Sequence, residues 1–581
     1  MVVETIKYVA GNIYFLEINR EIPFTRRIEI IRSLKNTNGV CKNENNRFYW
    51  YYGNENSDKS SEIVVNLDNL VHIDHLFEYQ KQDISVLMNM NRSLLTYDTG
   101  LGKTVLSIAT LINLHKTKNT QRQTSLIVVP KPLINQWKEQ IEKFTNNEMT
   151  YHILDGFNKK NKNLDTTKDI NIVTYSRLRK IPDIEQYNFF YIIFDEANNI
   201  KNASTKQTKV AYTLNGRYKV LLTATPIKNN PTEIYSLFRV LDLAKYLFGT
   251  YNEFLEKFSI RAFDPDTNRY FSVGYKNVPL LSQIIAPFCI HRTKTPEIKK
   301  QIGQKFELIE FYRFLDMSLE QKNLQRIMDN TIFEERHMYS KEYYRKVLEN
   351  LEMKAIRTEN KISPISLFSL SRILADSGET LLKSGSDTVN KIYGGLNLDV
   401  KNEKNPKITE LINILEEINN KSIIFTCFST IAELLNEYLM NKGYEVYLTT
   451  GKTENNQQII ENFKNTLKEN AVLVSTDVSK YGLNLQFCSN IIHFDLPFTY
   501  SELKQRNGRI DRIGQDEVPN VFYLIVKDSV DEDMLEFIKK KKEYSDIITA
   551  EGSDPISHKI EEKEIVQENN EERKIDLNQN V

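Results

Sequence analysis

The feature that most constrains this chain is a series of short, solidly apolar runs set between polar, helix-favouring stretches. "SLIVVP", "INIVTYS", "FYIIFDE" and "KVLLTAT" fall between residues 125 and 225; "KSIIFTC", "EVYLTT", "AVLVSTD", "NIIHFDLP" and "VFYLIV" fall between 421 and 526. A strand with one wet face alternates apolar and polar residues, whereas a strand covered on both faces reads as a solid run. Strands of the second kind belong to parallel sheets sandwiched by helices. Two α/β lobes follow, over residues 71–262 and 401–550. At 581 residues the chain exceeds the roughly 250–300 at which a single core stops growing, so division is required in any case.

The remaining segments read differently. Residues 263–400 are mostly polar and helix-favouring, as in "EQKNLQRIMDNTIFEERHMYSKEYYRKVLENLEMKAIRTEN", and predict a helical insertion between the lobes. Residues 1–70 alternate in "GNIYFLEI" and "NNRFYWYYGN", which predicts a small β-rich N-terminal accessory domain. The last stretch, 551–581, is polar and net acidic with almost no aromatics, so it cannot bury enough surface to offset its ordering entropy; a disordered tail is expected.

Charge and cysteine usage exclude several classes. Lys+Arg and Asp+Glu balance at 77 each, so any contact with nucleic acid must be local rather than a general basic coat. The four cysteines lie far apart with no Cys-x-x-Cys pair, which supports neither a zinc site nor a disulfide framework. No apolar run of about 18 residues occurs, and the N-terminus carries acidic residues; a cytoplasmic protein with no membrane partner is expected.

Two local patterns carry chemistry. In "SLLTYDTGLGKTVLSIATLINL" an apolar strand runs into Thr99, Gly100, Leu101 and Gly102, and then into Lys103 and Thr104 at the start of an apolar-periodic helix. That context is what a phosphate-binding loop requires. The glycines let successive N–H groups face the phosphates of ATP, Lys103 supplies a positive charge, and the Thr104 hydroxyl can ligate Mg²⁺. Tyr97 stands where the general pattern begins with Gly or Ala. In "FYIIFDEANNIKN" a buried strand ends on Asp195-Glu196. Two carboxylates there are costly unless a cation or substrate uses them. Asp195 is expected to hold Mg²⁺ and Glu196 to orient and deprotonate water.

With these in place, the chain resembles the Swi/Snf-type branch of helicase-like ATPases, collinearly over most of residues 76–547. The resemblance rests on "LFEYQKQDI", "LIVVPKPLINQWKEQIEKF", "IVTYSRLR", "LLTATPIKNNPTEIYSLFRVL", "LFGTYNEFLEKF", "APFCIHRTK", "VLVSTDVSKYGLNLQFCSNIIHFDLPF" and "QRNGRIDRIGQ". It implies two tandem RecA-like lobes and a DNA-dependent ATPase that tracks along duplex DNA. It assigns Gln80 to adenine, Thr223, Ala224 and Thr225 to coupling, Arg509 and Arg512 as arginine fingers, and Gln505 to a place beside them. Loops around Lys131, Thr174–Ser176, Thr426–Ser429 and Ser475–Asp477 would meet the DNA backbone.

Departures from the family pattern are Asn198 in the place of a His, the stretch Val478–Tyr481 before Gly482, and Phe498-Thr499-Tyr500 where relatives carry Trp-Asn-Pro. The second-lobe motifs resemble RapA-like members, which implies RNA polymerase as a further partner. A strand-separating helicase and a scaffold without turnover are the other readings.

Overall fold

The computed structural model describes residues 76–550 except 118–122, 147, 155–162, 226–231, 265–268, 336–363, 385, 395–404, 454, 477–484 and 513, together with the backbone of four strands within residues 4–53. Those four, β1 (Glu4–Ala10), β2 (Ile13–Ile18), β3 (Val40–Glu44) and β4 (Arg47–Gly53), form an antiparallel sheet in the order β1-β2-β4-β3. The alternating N-terminal pattern thus does make strands. The tail over 551–581 lies outside the described residues.

The first lobe is a seven-stranded sheet built from β5 (Arg92–Tyr97), β6 (Ser125–Val129), β7 (Tyr151–Leu154), β8 (Ile170–Thr174), β9 (Asn188–Phe194), β10 (Asn215–Leu222) and β13 (Cys289–Arg292). Its order is β13-β5-β10-β9-β6-β8-β7, and every pairing is parallel. The solid apolar runs are explained by the two cores they feed. Leu126 and Val128 point into one, with Phe194 and Phe238; Ile127 and Val129 point into the other, with Leu106 and Trp137. A hairpin of β11 (Ser259–Asp264) and β12 (Arg269–Tyr275) precedes the last strand.

The second lobe repeats the plan with β14 (Ile309–Leu315), β15 (Ser422–Thr426), β16 (Val446–Thr449), β17 (Val472–Thr476), β18 (Asn490–His493) and β19 (Asn520–Val526). The order is β14-β19-β18-β15-β17-β16, again all parallel. Because all strands of a lobe run the same way, their C-terminal ends collect on one edge, where loops can converge on a ligand.

The segment 263–400 differs from the expected helical insertion at its start. It supplies an edge strand to each lobe, β13 to the first sheet and β14 to the second. The helical part begins at Leu319 and includes helices Leu319–Glu335, Pro364–Asp376, Gly378–Lys383 and Asp387–Tyr393, packed around Leu324, Met328, Leu367, Leu374 and Tyr393. The lobes also share a clamp. The C-terminal helix Val530–Ala550 follows β19, yet its Tyr544 packs on the first-lobe core, with its ring centroid 5.3 Å from that of Tyr275. Among the described residues no helix is long and apolar enough to cross a membrane.

Candidate active site at the junction of the lobes

The phosphate loop leaves β5 at Tyr97 and enters the helix Lys103–Thr117. Gly100 and Gly102 hold φ of +87° and +81°, a region open to glycine at little cost. Between them the backbone turns so that Lys103 folds back, its Nζ donating to the carbonyls of Tyr97 at 2.8 Å and Asp98 at 3.2 Å. Burial lowers the proton affinity of Lys103, and the carboxylates of Glu196, Asp195 and Asp98 oppose that shift. Lys103 is thus a cation in a half-buried, acid-lined loop, and no carboxylate among the described residues is bonded to it.

Tyr97, the departure at the start of the loop, is a core residue. Its ring is fully buried and its hydroxyl donates to Asp83, which also takes both Nε and Nη2 of Arg292 at 2.8 and 2.7 Å. Gln80, expected at adenine, is buried with its amide committed to protein. Its Oε1 accepts from the Phe77 amide at 3.0 Å and its Nε2 donates to the Leu101 carbonyl at 3.2 Å. A Cβ on Gly102 would lie 2.4 Å from that Nε2. In this structure Gln80 braces the loop.

Asp195 follows the end of β9 and is buried. Its Oδ2 accepts from the indole Nε1 of Trp137 at 2.7 Å, and its Oδ1 from the Glu196 amide at 2.9 Å. Burial, reinforced by the neighbouring Glu196, pushes its carboxyl up to about 6. Glu196 sits at φ +50°, a left-handed turn that Asn199 secures by donating to its carbonyl at 2.8 Å. A carboxylate held this uneasily fits a cation. The Thr104 hydroxyl and Asp195 offer hard oxygens, and no cluster of three or more acidic, His or Cys ligands exists among the described residues. That sparse set suits Mg²⁺, which is commonly shared between one or two protein oxygens and substrate phosphates.

Asn198, which departs from the expected His, bonds to the Thr223–Thr225 segment. Its Nδ2 donates to Thr223 Oγ1 at 3.0 Å, and Thr223 in turn donates to the Thr225 carbonyl at 2.9 Å. The Thr225 hydroxyl then crosses to the second lobe and donates to Ser501. Further bonds span the cleft. Gln505 Nε2 donates to Glu196 Oε2 at 3.2 Å, Lys504 Nζ lies 2.5 Å from Asp98, and Lys294 Nζ lies 2.6 Å from Asp511.

The helix Tyr500–Asn507 carries Ser501, Lys504 and Gln505, with Asp511 just beyond it, and is capped by Thr499, whose side chain accepts from the Glu502 amide. The Phe498-Thr499-Tyr500 departure therefore supplies a cap to the arginine-bearing segment. Gly508 follows, so close to Thr99 that a Cβ there would stand 2.2 Å from the Thr99 hydroxyl. Arg512 Nε donates to the Gly508 carbonyl at 2.8 Å, and its Cγ lies 3.5 Å from where a Cβ on Gly100 would be. Burial lowers the proton affinity of Arg512, against the pull of Glu196. Arg509 is also buried. The loop, the acid pair and the arginine segment are thus brought together. Trp137, Ser501, Lys504 and Lys294 join them without having been singled out from sequence.

Of the strand-end loops, Lys131 and Ser176 are exposed after β6 and β8, with Thr174 Oγ1 3.1 Å from Ser176 Oγ. Thr426 and Ser475 are buried, and Cys427 to Ser429 are half-buried. Asp477, Val478–Tyr481, Asn229 and Asn230 lie outside the described residues.

Residues 79–364 match the SNF2-related domain family and residues 403–514 the helicase conserved C-terminal domain family. An uncharacterized ATP-dependent helicase of Mycoplasma pneumoniae is 26% identical over 480 residues, covering 81% of this chain and 42% of that protein. One from Bacillus subtilis is 24% identical over 479 residues, covering 81% and 79%. The chain spans about two fifths of the Mycoplasma relatives' length, 42% and 43%. The SWI2/SNF2 ATPase core of Sulfolobus solfataricus in complex with dsDNA is 24% identical and covers 83% of this chain and 94% of that one, with a TM-score of 0.37.

Proposed function

Because the chain belongs to the SNF2-related family of helicase-like proteins, we propose that it hydrolyses ATP between its lobes and uses the opening and closing of that cleft to track along duplex DNA. The observation that carries this reading is the 3.2 Å bond from Gln505 to Glu196, with the Gly508–Arg512 segment packed on the phosphate loop. The acid that would handle water and the arginines that would meet the transferred phosphoryl group belong to different lobes. They form one site only when the cleft is shut.

The roles follow from position. Lys103 would neutralise the β/γ-phosphates, while Thr104 and Asp195 would hold Mg²⁺, which would supply positive charge against the phosphates. Glu196 orients the attacking water and takes its proton. Arg509 and Arg512 stabilise charge that spreads over the equatorial oxygens in the transition state. The chain Asn198–Thr223–Thr225–Ser501 links the acid turn to the second lobe, so a change at the phosphates is felt across the cleft. Exposed Lys131 and the exposed Ser176 hydroxyl, which bonds to the buried Thr174, would offer contacts of the sequence-independent kind that phosphates accept.

Triplex displacement beside forked-duplex unwinding tests the reading. ATP-dependent displacement of a third strand with the fork left paired is the expected result. Fork unwinding would favour a strand-separating helicase, and failure of both would remove the motor assignment.

A further inference from the structure

Two ion pairs cross the cleft in opposite senses, and the chemistry proposed above gives neither a role. Asp98 follows β5 in the phosphate loop and Lys294 lies just beyond β13, both in the first lobe. Lys504 is on the helix Tyr500–Asn507, and Asp511 lies between Arg509 and Arg512. Lys504 Nζ is 2.5 Å from Asp98 Oδ1, and Lys294 Nζ is 2.6 Å from Asp511 Oδ2. The first lobe therefore offers an acid and a base, and the second lobe answers with a base and an acid.

The pairs are joined to each other. The Lys294 amide donates to Asp98 Oδ2 at 3.1 Å, so one residue touches both acids. Lys294 Nζ also donates to the Asp511 carbonyl, and Gln304 Nε2 donates to Asp511 Oδ1 at 2.6 Å. All four charged residues line one cavity, and Glu310, Lys539 and Lys542 are the other charged groups in its wall. Glu310 accepts from the Tyr523 hydroxyl at 2.5 Å, Lys539 lies 5.4 Å from the centroid of the Tyr312 ring, and Lys542 is exposed.

Exposed ion pairs contribute little, because water and salt screen them. These are mostly enclosed: the side chains of Asp98 and Lys504 are 15% and 22% exposed, and those of Lys294 and Asp511 9% and 21%. Burial raises the Asp98 carboxyl, but Lys504 leads an opposing pull that holds it below its usual range. Burial also lowers the proton affinity of Lys294, against the pull of Asp511. The opposed polarity fixes register as well as distance. A slide of one lobe that brought Asp98 toward Asp511 would set Lys294 against Lys504, and like charges juxtaposed across an interface are penalised. The seating that satisfies both pairs puts Gly508 against Thr99 and Arg512 beside Gly100. Lys504 and Asp511 hold the segment on either side of Gly508.

We propose that Asp98, Lys294, Lys504 and Asp511 form a crossed ionic latch that seats the arginine segment on the phosphate loop, which makes all four positioning residues for phosphoryl transfer. None of them is assigned to phosphate or Mg²⁺, so the latch closes without nucleotide. It acts through Arg509 and Arg512, whose approach to the loop it sets, and through the neighbouring Gln505, which bonds to Glu196. The effect on turnover rests on the ATPase reading above, whereas the latch itself does not.

The test is hydrogen exchange of the full-length chain without nucleotide or DNA, read by mass spectrometry on peptides covering 98–104 and 500–512. Replacing both lysines, Lys294→Met with Lys504→Met, should speed exchange in these peptides at least roughly tenfold, while peptides over β6 and β17 exchange as in the wild type. Unchanged exchange at 98–104 and 500–512 would overturn the latch. If the double variant does not fold, Lys504→Met decides alone, since Lys504 is the most exposed of the four. Lys504→Arg, which keeps the charge, should retain wild-type protection, and loss of protection there would show that packing rather than charge holds the segment. In steady-state ATPase the Met variants should lower kcat at least roughly tenfold with the KM for ATP within about twofold of wild type. A faster-exchanging segment with wild-type kcat would refute the positioning role. Absence of ATP turnover in the wild type would instead sink the ATPase reading and leave the exchange result to judge the latch.

Discussion

Replacing Trp137 by Phe should damage magnesium-dependent turnover far more than it damages the fold. The indole N–H is the donor that holds Asp195 Oδ2 at 2.7 Å inside a buried site. Phenylalanine keeps most of the ring packing and cannot donate. A hydrogen bond to a charged acceptor contributes about 1.5–3 kcal/mol, which at 1.36 kcal/mol per pKa unit raises the carboxyl by roughly one to two units. Burial and Glu196 already push Asp195 up to about 6. The variant carboxyl would therefore be largely protonated near neutrality, and a protonated carboxyl is a poor ligand for Mg²⁺.

The sign follows from that. In the wild type at limiting Mg²⁺, turnover should fall as pH drops through about 6. In Trp137→Phe the fall should begin roughly one to two units higher, and the half-saturating Mg²⁺ at pH 7 should rise roughly two- to tenfold as the ionised fraction falls. Steady-state ATPase measured across pH and Mg²⁺ reads both, and nucleotide binding without Mg²⁺ should stay close to wild type. An unchanged magnesium requirement and pH profile in a folded variant would refute the role given to the indole.

Three further substitutions separate the parts of the site. Lys103→Ala should abolish ATP turnover while leaving the melting temperature within a few degrees, because the lysine contributes charge rather than packing; wild-type turnover would remove it from the phosphates. Glu196→Gln should retain bound ATP without hydrolysing it, seen as a stable nucleotide complex on rapid filtration, and loss of binding would point to a metal-holding role instead. Gly508→Ala, whose Cβ would meet the Thr99 hydroxyl at 2.2 Å, should hold the lobes apart. It should lower duplex-stimulated turnover at least tenfold without weakening nucleotide binding, and full stimulation would show that close approach is not needed.

The sheets were legible because strands buried on both faces have no choice but to be apolar throughout, as in "SLIVVP" and "VFYLIV". β13 and β14 were not, because both are edge strands. β14 in particular has only exposed and half-buried positions, and Glu310 and Arg313 interrupt its apolar residues, so it lacks the solid apolar run of a strand covered on both faces. The same contrast divides the site. The phosphate loop and the acid pair are local patterns whose chemistry is contained in a few adjacent residues.

Trp137 is 58 residues from Asp195, Thr225 is 276 from Ser501, and Lys294 is 217 from Asp511. Such partners are chosen by how the lobes pack, and no spacing rule announces them. Gln80 shows the converse. Its assignment to adenine followed from resemblance, whereas in the structure its amide bonds to Phe77 and Leu101.

The central claim is that hydrolysis needs groups from both lobes and is switched on by duplex DNA. Steady-state ATPase with and without duplex DNA, on the wild type and on Arg509→Ala and Arg512→Ala, tests it most directly. Duplex DNA should stimulate the wild type, and each arginine variant should lose that stimulation by orders of magnitude, in the roughly 10³–10⁵ range of arginine fingers, with little change in ATP affinity without DNA. Full stimulation retained in both variants would contradict the closed-cleft account.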